Sequence, residues 1–363
     1  MKIIAVSDIH FYPFPAFATL TDQGINSRIQ HTQNRLKEIF EVADKLDAPI
    51  LFGGDLFHVK KLEAETIDLA VKTFNLCKQP IIGVPGNHDM GTFGPDGRHS
   101  ARAISKIEWL DNYGSRMSTI VKQGERVDVY GIPYVRTKEE LKKELEKVPK
   151  KVDVLLMHCG FAGTEMGSDY IADLGDCADP EWVFGKAKLV VTGHFHIAQV
   201  IAKDEQAETY KTQKPTQHGQ YTKYKDYETI LVPGSPEPHN WGDINSVRGF
   251  WIIDTNEKTL TFQKLNSPQF VEVSTQEDLA KAEGNYVRVV SKDIPLKMLQ
   301  ELKDKTAGMT VEMEHELAAK PNRGYEVAAS DRPEEIVKKY VDAHETTLDK
   351  EVLKKMGVKY LCG

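Results

Sequence analysis

Short apolar segments alternate with amphipathic segments along residues 1–265 of the chain. Seven apolar segments are bounded by glycine, proline or charged residues, which is typical of buried strands. These predicted strands cover 2–8, 49–55, 80–88, 127–133, 152–158, 188–194 and 229–235. The amphipathic segments have helical spacing and cover 28–46, 62–78, 99–113 and 137–147. This alternation predicts an α/β layered domain whose sheet strands are buried on both faces.

Two segments depart from this alternation. Residues 203–228 are polar and hold no apolar periodicity, so we expect an exposed insertion, either mobile or a loose hairpin. Residues 249–265 read as a closing hairpin around an asparagine-centred turn.

The chain beyond Pro268 has a different pattern. A strand, a helix and a second strand within 270–320 predict a small α+β unit, and 332–361 predicts two short helices. Each helix has an apolar row at four-residue spacing, formed by Ile336 and Tyr340 in the first and by Leu348, Val352 and Met356 in the second. Such rows either fold back on their own domain or dock on a partner. Periodicity leaves both arrangements open.

Composition is that of an ordinary soluble globular protein. The 363 residues are 40% hydrophobic and 28% charged, and no apolar run approaches the roughly 18 residues that span a bilayer. The N-terminus lacks signal-peptide features, and the four cysteines form no paired spacing, so we expect reduced thiols and a cytoplasmic location. The net charge of −7 argues mildly against holding nucleic acid by charge alone. Bound metal ions would still supply local positive charge.

Side chains that bind metal ions follow the predicted strands in five short motifs. They are SDIH with Asp8 and His10, GGDLFH with Asp55 and His58, GNHD with Asn87, His88 and Asp89, MH with His158, and GHFH with His194 and His196. In open α/β sheets, ligands collect beyond the carboxyl ends of the strands, where successive loops converge. Mixed carboxylate, imidazole and amide ligands suit Mn, Fe or Zn rather than Ca. One such motif occurs often by chance, whereas the ordered set of five predicts a metal centre.

The number of candidate ligands fits two metal ions. With one shared carboxylate, seven ligands make two shells of four and leave positions for water and substrate. Asp55 is the natural bridge, because a carboxylate can bind two cations and lower their repulsion. Two ions about 3.5–4 Å apart activate water and hold both the attacking and the leaving oxygen at phosphorus. His58 is expected to lie outside the metal shells and to meet a substrate phosphate.

These motifs resemble those of the calcineurin-like metallophosphoesterase superfamily over about residues 1–255. The resemblance implies a layered β-sandwich flanked by helices. It implies two divalent metal sites, one formed by Asp8, His10, Asp55 and His196 and the other by Asp55, Asn87, His158 and His194. It also implies that His88 contacts the phosphate and the leaving group, as transition-state stabiliser or general acid. Asp89 would then orient His88.

Finer features resemble the SbcD-type nucleases, bacterial and phage relatives of the eukaryotic double-strand-break repair nuclease. The similar segments are GGDLFH, VPGSPEP with RGFWIID, SPQFVEV and the terminal helices. The resemblance implies a nuclease domain at 1–265, a small α+β capping domain at 266–329 and a helix pair at 330–363 that binds an SbcC-type coiled-coil ATPase. It further implies Mn-dependent exonuclease action on duplex DNA ends, endonuclease action on single strands, a homodimer and a role in repair or recombination. The compact length resembles a bacteriophage form, so the resemblance implies the cytoplasm of a bacterial cell or of a phage-infected host.

Two other functions fit the same motifs. A calcineurin-like phosphatase or a small-molecule phosphodiesterase would carry the same metal site but has little use for a cap and a terminal helix pair. A binding or scaffold protein that had lost catalysis would be expected to lack His88 or a bridging ligand, and both are in place.

Further polar residues have ordinary explanations. Lys60, Lys61, Arg98 and Arg102 lie near the motifs and either contact DNA phosphates or form a solvated face. The histidines outside the motifs are expected to be surface or hydrogen-bonded residues rather than ligands, namely His31, His99, His218, His239, His315 and His344.

Overall fold

The computed structural model describes most of the chain. The described residues are 1–91, 98–150, 152–167, 170–172, 177–204, 209–216, 220–244, 246–290, 294–311, 333–344, 346 and 348–362. The chain divides into two compact units, the first formed by Met1–Val289 with Ile294–Thr310 and the second by Val290–Asp293 with Val311–Gly363. The domain boundaries predicted at residues 265 and 329 stay a prediction.

Helices and strands alternate along most of the described chain. The helices are α1 (Ser27–Leu46), α2 (Ala64–Phe74), α3 (Lys138–Glu146), α4 (Leu296–Lys303), α5 (Pro333–Ala343) and α6 (Lys350–Cys362). The strands are β1 (Lys2–Val6), β2 (Ile50–Phe52), β3 (Ile81–Gly83), β4 (Ile107–Trp109), β5 (Met117–Lys122), β6 (Glu125–Ile132), β7 (Val152–His158), β8 (Glu165–Gly167), β9 (Tyr170–Ile171), β10 (Ala187–Gly193), β11 (Gln199–Asp204), β12 (Thr209–Gln213), β13 (Gln220–Lys223), β14 (Thr229–Val232), β15 (Gly249–Asp254), β16 (Thr259–Lys264), β17 (Phe270–Val273), β18 (Tyr286–Val289) and β19 (Gly308–Val311).

Two seven-stranded mixed sheets form the body of the first unit. One has the order β13-β16-β15-β1-β2-β3-β4 and the other β12-β11-β14-β10-β7-β6-β5. Their inner faces share one core, in which Ile3, Leu51 and Trp251 of the first sheet cluster with Val154 and Leu189 of the second. Helices α1 and α2 pack on the first sheet, and α3 packs on the second. The predicted layered α/β sandwich flanked by helices is confirmed.

The predicted helix over 99–113 is wrong. Residues Ser100–Ala103 form a single 3-10 turn, and β4 follows as a parallel strand on the edge of β3. The carboxylate of Asp111 accepts bonds from the guanidinium of Arg102 and from two backbone N–H groups that follow it. These bonds fix a turn directly after β4, so the apolar residues that matched helical spacing instead pack from a 3-10 turn and a short strand.

The polar insertion 203–228 contributes one strand to each large sheet. β12 pairs antiparallel with β11, and β13 pairs antiparallel with β16. Both are edge strands, which require backbone hydrogen bonds but little apolar surface. Tyr224, just after β13, is buried in the core between the sheets. The expectation of a loose exposed hairpin is therefore corrected.

A small sheet with the order β17-β18-β19 carries α4 and packs against the loops of the first unit. The rings of Phe270 and Phe17 lie 5.4 Å apart, and the hydroxyl of Tyr286 is hydrogen-bonded to the ring of His31 at 2.7 Å. The guanidinium of Arg28 lies 4.5 Å above the ring of Tyr286. The predicted strand, helix and strand are present, and β17 adds a strand before them.

Helices α5 and α6 belong to the second unit and pack on each other. Gly357 lies against Val337, and the ammonium of Lys354 pairs with Asp342 at 2.7 Å. The predicted apolar row of α6 is exposed, since Val352 and Met356 are each about half accessible. None of the helices in the described parts of the chain is both long and apolar enough to cross a membrane.

Candidate metal centre

The predicted ligands meet at one end of both large sheets. Asp8, Asp55 and Asn87 lie in the loops after β1, β2 and β3 of the first sheet. His158 is the last residue of β7, and His194 directly follows β10 of the second sheet. Because neighbouring strands in each set are parallel, their carboxyl ends bring these loops together.

The loops that carry the ligands have unusual backbone conformations. Asp8, His10, Asp55 and His194 all have positive φ, at 52°, 46°, 55° and 112°. Residues other than glycine rarely adopt this region, and such strain clusters at functional sites. Hydrogen bonds from the N–H of Asp8 to Gly54 and from the N–H of His10 to the carbonyl of Asp55 hold the first two loops together. Strain is thus concentrated where the donor atoms converge.

Glycine is required where the second and third loops touch. Gly54 has a φ of 97°, and a Cβ built on Gly86 would overlap the carboxylate and backbone of Asp55. Any larger residue at position 86 would push the Asn87 loop away from Asp55.

The first group of donors is formed by Asp8, His10 and His196. Their donor atoms all lie within 4.8 Å of one another. The Nε2 atoms of His10 and His196 face each other at 3.2 Å, and Nε2 of His10 lies 3.8 Å from Oδ2 of Asp55. This is the group that the resemblance assigned to one metal ion.

The second group surrounds the side-chain oxygen of Asn87. Oδ1 of Asn87 lies 3.0 Å from Nε2 of His158 and 3.0 Å from Nδ1 of His194. Nε2 of His158 lies 3.4 Å from Oδ2 of Asp55. Asp55 therefore reaches both groups with the same oxygen, as expected of a bridging carboxylate.

The donors of the second group fit a cation. Nδ1 of His158 donates to the carbonyl of Gly53 at 2.7 Å, which leaves the lone pair of Nε2 facing the oxygens of Asn87 and Asp55. Nε2 of His158 and the two oxygens all present lone pairs and cannot hydrogen-bond to one another. A proton or a metal ion therefore has to lie among these three atoms. Burial lowers the pKa of His158, but the Asp55 carboxylate outweighs it and raises the pKa to about 9. Imidazole, carboxylate and amide ligands suit Mn, Fe or Zn.

Burial also sets the charge of the other ligands. It lowers the pKa of His194 to about 3, aided by the neighbouring His158, and lowers the pKa of His10 well below its usual value. Both rings are neutral at pH 7 and present a lone pair. Burial raises the pKa of Asp8 to about 6, against the opposing effect of His158 and His196.

His58 and His88 stack at the rim of the first group. Their ring centroids are 5.1 Å apart at an interplanar angle of 16°, and Nδ1 of His58 lies 3.3 Å from Nδ1 of His10. Nδ1 of His88 donates to the carbonyl of His58 at 2.7 Å, so its Nε2 is the atom left to act on a substrate. The N–H of His88 donates to Oδ1 of Asp55 at 2.8 Å.

Asp89 makes hydrogen bonds other than those expected of a residue that orients His88. Its buried carboxylate accepts hydrogen bonds from the N–H groups of Gly86, Leu56 and Phe57. It therefore fixes the Asp55 loop against the Asn87 loop, while the carbonyl of His58 orients the ring of His88. Burial and the nearby Asp55 raise the pKa of Asp89 to about 7.

A turn at Trp241–Asp243 supports the centre and was not predicted. Oδ1 of Asp243 accepts from Nδ1 of His196 at 3.3 Å, and the buried Arg248 lies 3.3 Å from the same oxygen. The neighbouring His239 donates from Nε2 to the carbonyl of Asp8 at 3.0 Å. Trp241 meanwhile contacts Phe270 of the small sheet, with ring centroids 5.1 Å apart.

We expect Asp243→Asn to weaken metal binding about 10- to 100-fold, since the carboxylate fixes the tautomer of His196 and raises its basicity. The measurement is the Mn²⁺ concentration that gives half-maximal hydrolysis, together with the rise in melting temperature on adding Mn²⁺. Asp68→Asn is the matched control, because Asp68 only pairs with Lys72 on the surface of α2. An unchanged Mn²⁺ requirement would contradict the role given to Asp243.

A family model identifies the family to which this chain belongs. The family model for calcineurin-like phosphoesterases matches residues 1–198. A comparison of the sequence with curated proteins found no match. An archaeal phosphodiesterase is 13% identical, with a TM-score of 0.33, over 73% of this chain and 100% of its own.

Two further solved structures are also distant. A metallophosphoesterase from Sphaerobacter thermophilus is 14% identical over 84% of this chain and 99% of its own, with a TM-score of 0.33. A dimetal phosphatase from Danio rerio is 8% identical over 69% of this chain and 91% of its own, with a TM-score of 0.39. Since the family model covers more than half of the sequence, this chain belongs to the calcineurin-like phosphoesterase family of metal-dependent hydrolases.

Proposed function

We propose that this phosphoesterase is a DNA nuclease that acts as an exonuclease on duplex ends and as an endonuclease on single strands, together with an SbcC-type ATPase. The observation that carries the proposal is the chain beyond Lys264. It adds a small sheet and the three helices α4, α5 and α6 after β16, the last strand of the two large sheets. A phosphatase acting on small molecules has little use for these elements.

The site residues have distinct roles in this proposal. Asp8, His10, Asp55 and His196 would hold one ion, and Asp55, Asn87, His158 and His194 the other, with Mn as the expected metal. Two such ions supply charge neutralisation at the phosphate and activation of water. His88 meets the phosphate or the leaving oxygen through Nε2, and His58 supports it by stacking and by accepting its Nδ1–H.

The terminal helices are the proposed binding site for the ATPase. The exposed Val352 and Met356 of α6, with the exposed Leu348 just before the helix, form one apolar face suited to a helical partner. Lys354 and Asp342 pair across the two helices. A homodimer is part of the proposal as well, and α2, the helix that follows the GGDLFH motif, is the element proposed to form it.

Contacts with DNA phosphates are proposed for the exposed Lys61 and Arg98 near the motifs. Arg102 is engaged elsewhere, because it donates to both carboxylate oxygens of Asp111. With a net charge of −7, we expect the ATPase to contribute much of the affinity for duplex DNA.

The test is digestion of end-labelled linear duplex and of single-stranded DNA by the purified protein with Mn²⁺. An aryl phosphodiester is hydrolysed in parallel, and the assays are repeated with a candidate ATPase partner. Shortening of the duplex by the native protein and not by His88→Ala would support the proposal. Hydrolysis of the aryl ester alone, even with the ATPase present, would overturn it in favour of a phosphatase or small-molecule phosphodiesterase.

A further inference from the structure

A cavity of about 120 Å³ lies directly beside the second group of metal ligands. Its lining includes His158 and His194 and, from the segment between β6 and the start of α3, Tyr134, Arg136 and Lys138. We call this cavity the Tyr134 cleft. Neither the motifs nor the metal chemistry assigns it a role.

The backbone of Tyr134 is hydrogen-bonded to a neighbouring loop. Its N–H donates to the carbonyl of Pro85 at 3.0 Å, which ties it to the loop that carries Asn87. Its ring centroid lies 6.4 Å from that of His194, at an interplanar angle of 24°, and 6.2 Å from that of His158. The side chain is only half-buried, so part of the aromatic surface faces the cleft.

Two cationic side chains belong to the lining of the cleft. Arg136 and Lys138 line it, and α3 begins there with a capping box between Thr137 and Glu140. Among the described residues that line the cleft, none carries a carboxylate. In a protein with a net charge of −7, this composition favours an anionic ligand with a planar group.

We propose that the Tyr134 cleft binds the nucleoside next to the scissile phosphate, with its base stacked on Tyr134 and the adjoining phosphate against Arg136 and Lys138. The inference rests on the proposed nuclease function and extends it to the recognition of a single unpaired nucleotide. Aromatic stacking accepts any base, so the cleft binds single strands without sequence preference. In this arrangement the scissile phosphate would lie beside His158 and His194, and the phosphate on the other side of the nucleoside would lie against Arg136 and Lys138.

The first test uses aryl phosphodiester hydrolysis, which needs the metal centre but no DNA. Inhibition by deoxyadenosine 5′-phosphate is compared with inhibition by inorganic phosphate. For the native protein we expect the nucleotide to inhibit more strongly, and we expect Tyr134→Ala to weaken its inhibition about 5- to 100-fold while inhibition by phosphate stays unchanged. Tyr134→Phe should retain the native ratio, because its ring still stacks.

The matched control is Tyr221→Ala on the edge strand β13, where the side chain is 65% exposed. It should leave both inhibition constants unchanged. Equal inhibition by nucleotide and phosphate in the native protein, or an unchanged ratio in Tyr134→Ala, would overturn the inference. Neither result depends on whether the protein cuts DNA.

The second test uses single-stranded oligonucleotides with one abasic position. We expect the native protein to cut about 5- to 100-fold more slowly at the bond next to the missing base. Tyr134→Ala should cut the intact strand at that slower rate and lose no further rate at the abasic position. Full sensitivity of Tyr134→Ala to the abasic position would contradict the cleft, whereas failure of the native protein to cut any strand would contradict the nuclease function itself.

Discussion

Asp55→Asn is expected to lower kcat/KM for an aryl phosphodiester by about 10³-fold, a loss of roughly 4 kcal/mol of transition-state stabilisation. Oδ2 of Asp55 lies near both His10 and His158, at 3.8 and 3.4 Å. An amide at this position cannot bridge two cations, because it carries no negative charge and offers one acceptor oxygen. We therefore expect the loss of at least one of the two ions.

Metal binding gives a second measurement that does not rely on catalysis. The native protein should gain about 3 kcal/mol of unfolding free energy when Mn²⁺ is present at 100 times its dissociation constant. Asp55→Asn should lose most of this gain. Without metal, the variant should be somewhat less stable than the native protein, because the attraction of the Asp55 carboxylate for His158 outweighs its repulsion of Asp8 and Asp89.

Asp153→Asn is the matched control for Asp55. Asp153 lies at the opposite end of the second sheet, near the start of β7, where it pairs with Lys188 and accepts the N–H of Asp128. This control should retain both activity and the stabilisation by Mn²⁺. Full activity of Asp55→Asn, with a native response to Mn²⁺, would exclude a bridging role for Asp55.

The sequence predicts the central strands and the ligands because both depend on local patterns. A buried parallel strand is a short apolar run, and its carboxyl end is the place where a polar side chain meets its neighbours. The edge strands β12 and β13 lack this signal, since an edge needs little apolar surface. The helix predicted over 99–113 is wrong for a different reason. Its apolar residues have helical spacing, but the ion pair between Asp111 and Arg102 fixes a turn that this spacing does not reveal.

Residues that support the ligands could not be assigned in the same way. Asp243 is 47 positions away from His196, and its only local signal is a short turn between two strands. His239 was expected to be hydrogen-bonded rather than a ligand, and it donates to the carbonyl of Asp8 while its ring lies 4.6 Å from that of His10. The bonds of Asp89 to Leu56 and Phe57 likewise join segments over 30 residues apart, which a motif does not reveal.

The second large effect is expected for His88→Ala, which should lower kcat by about 10²- to 10⁴-fold if His88 is a general acid. The carbonyl of His58 holds Nδ1–H of His88, so Nε2 is the atom available to a leaving oxygen. Alanine retains the backbone N–H that donates to Asp55. We therefore expect the Mn²⁺ requirement of this variant to stay close to that of the native protein.

A series of aryl phosphodiesters with increasingly basic leaving groups separates the two roles open to His88. A general acid matters most when the leaving oxygen is strongly basic, so the loss in His88→Ala should grow along the series. A residue that only stabilises charge on the phosphate should cost the same factor for every member. His31→Ala is the matched control, because its ring binds Tyr286 at the small sheet and takes no part in the centre. Native kcat values in His88→Ala would remove His88 from the chemistry and leave hydrolysis to the metal ligands alone.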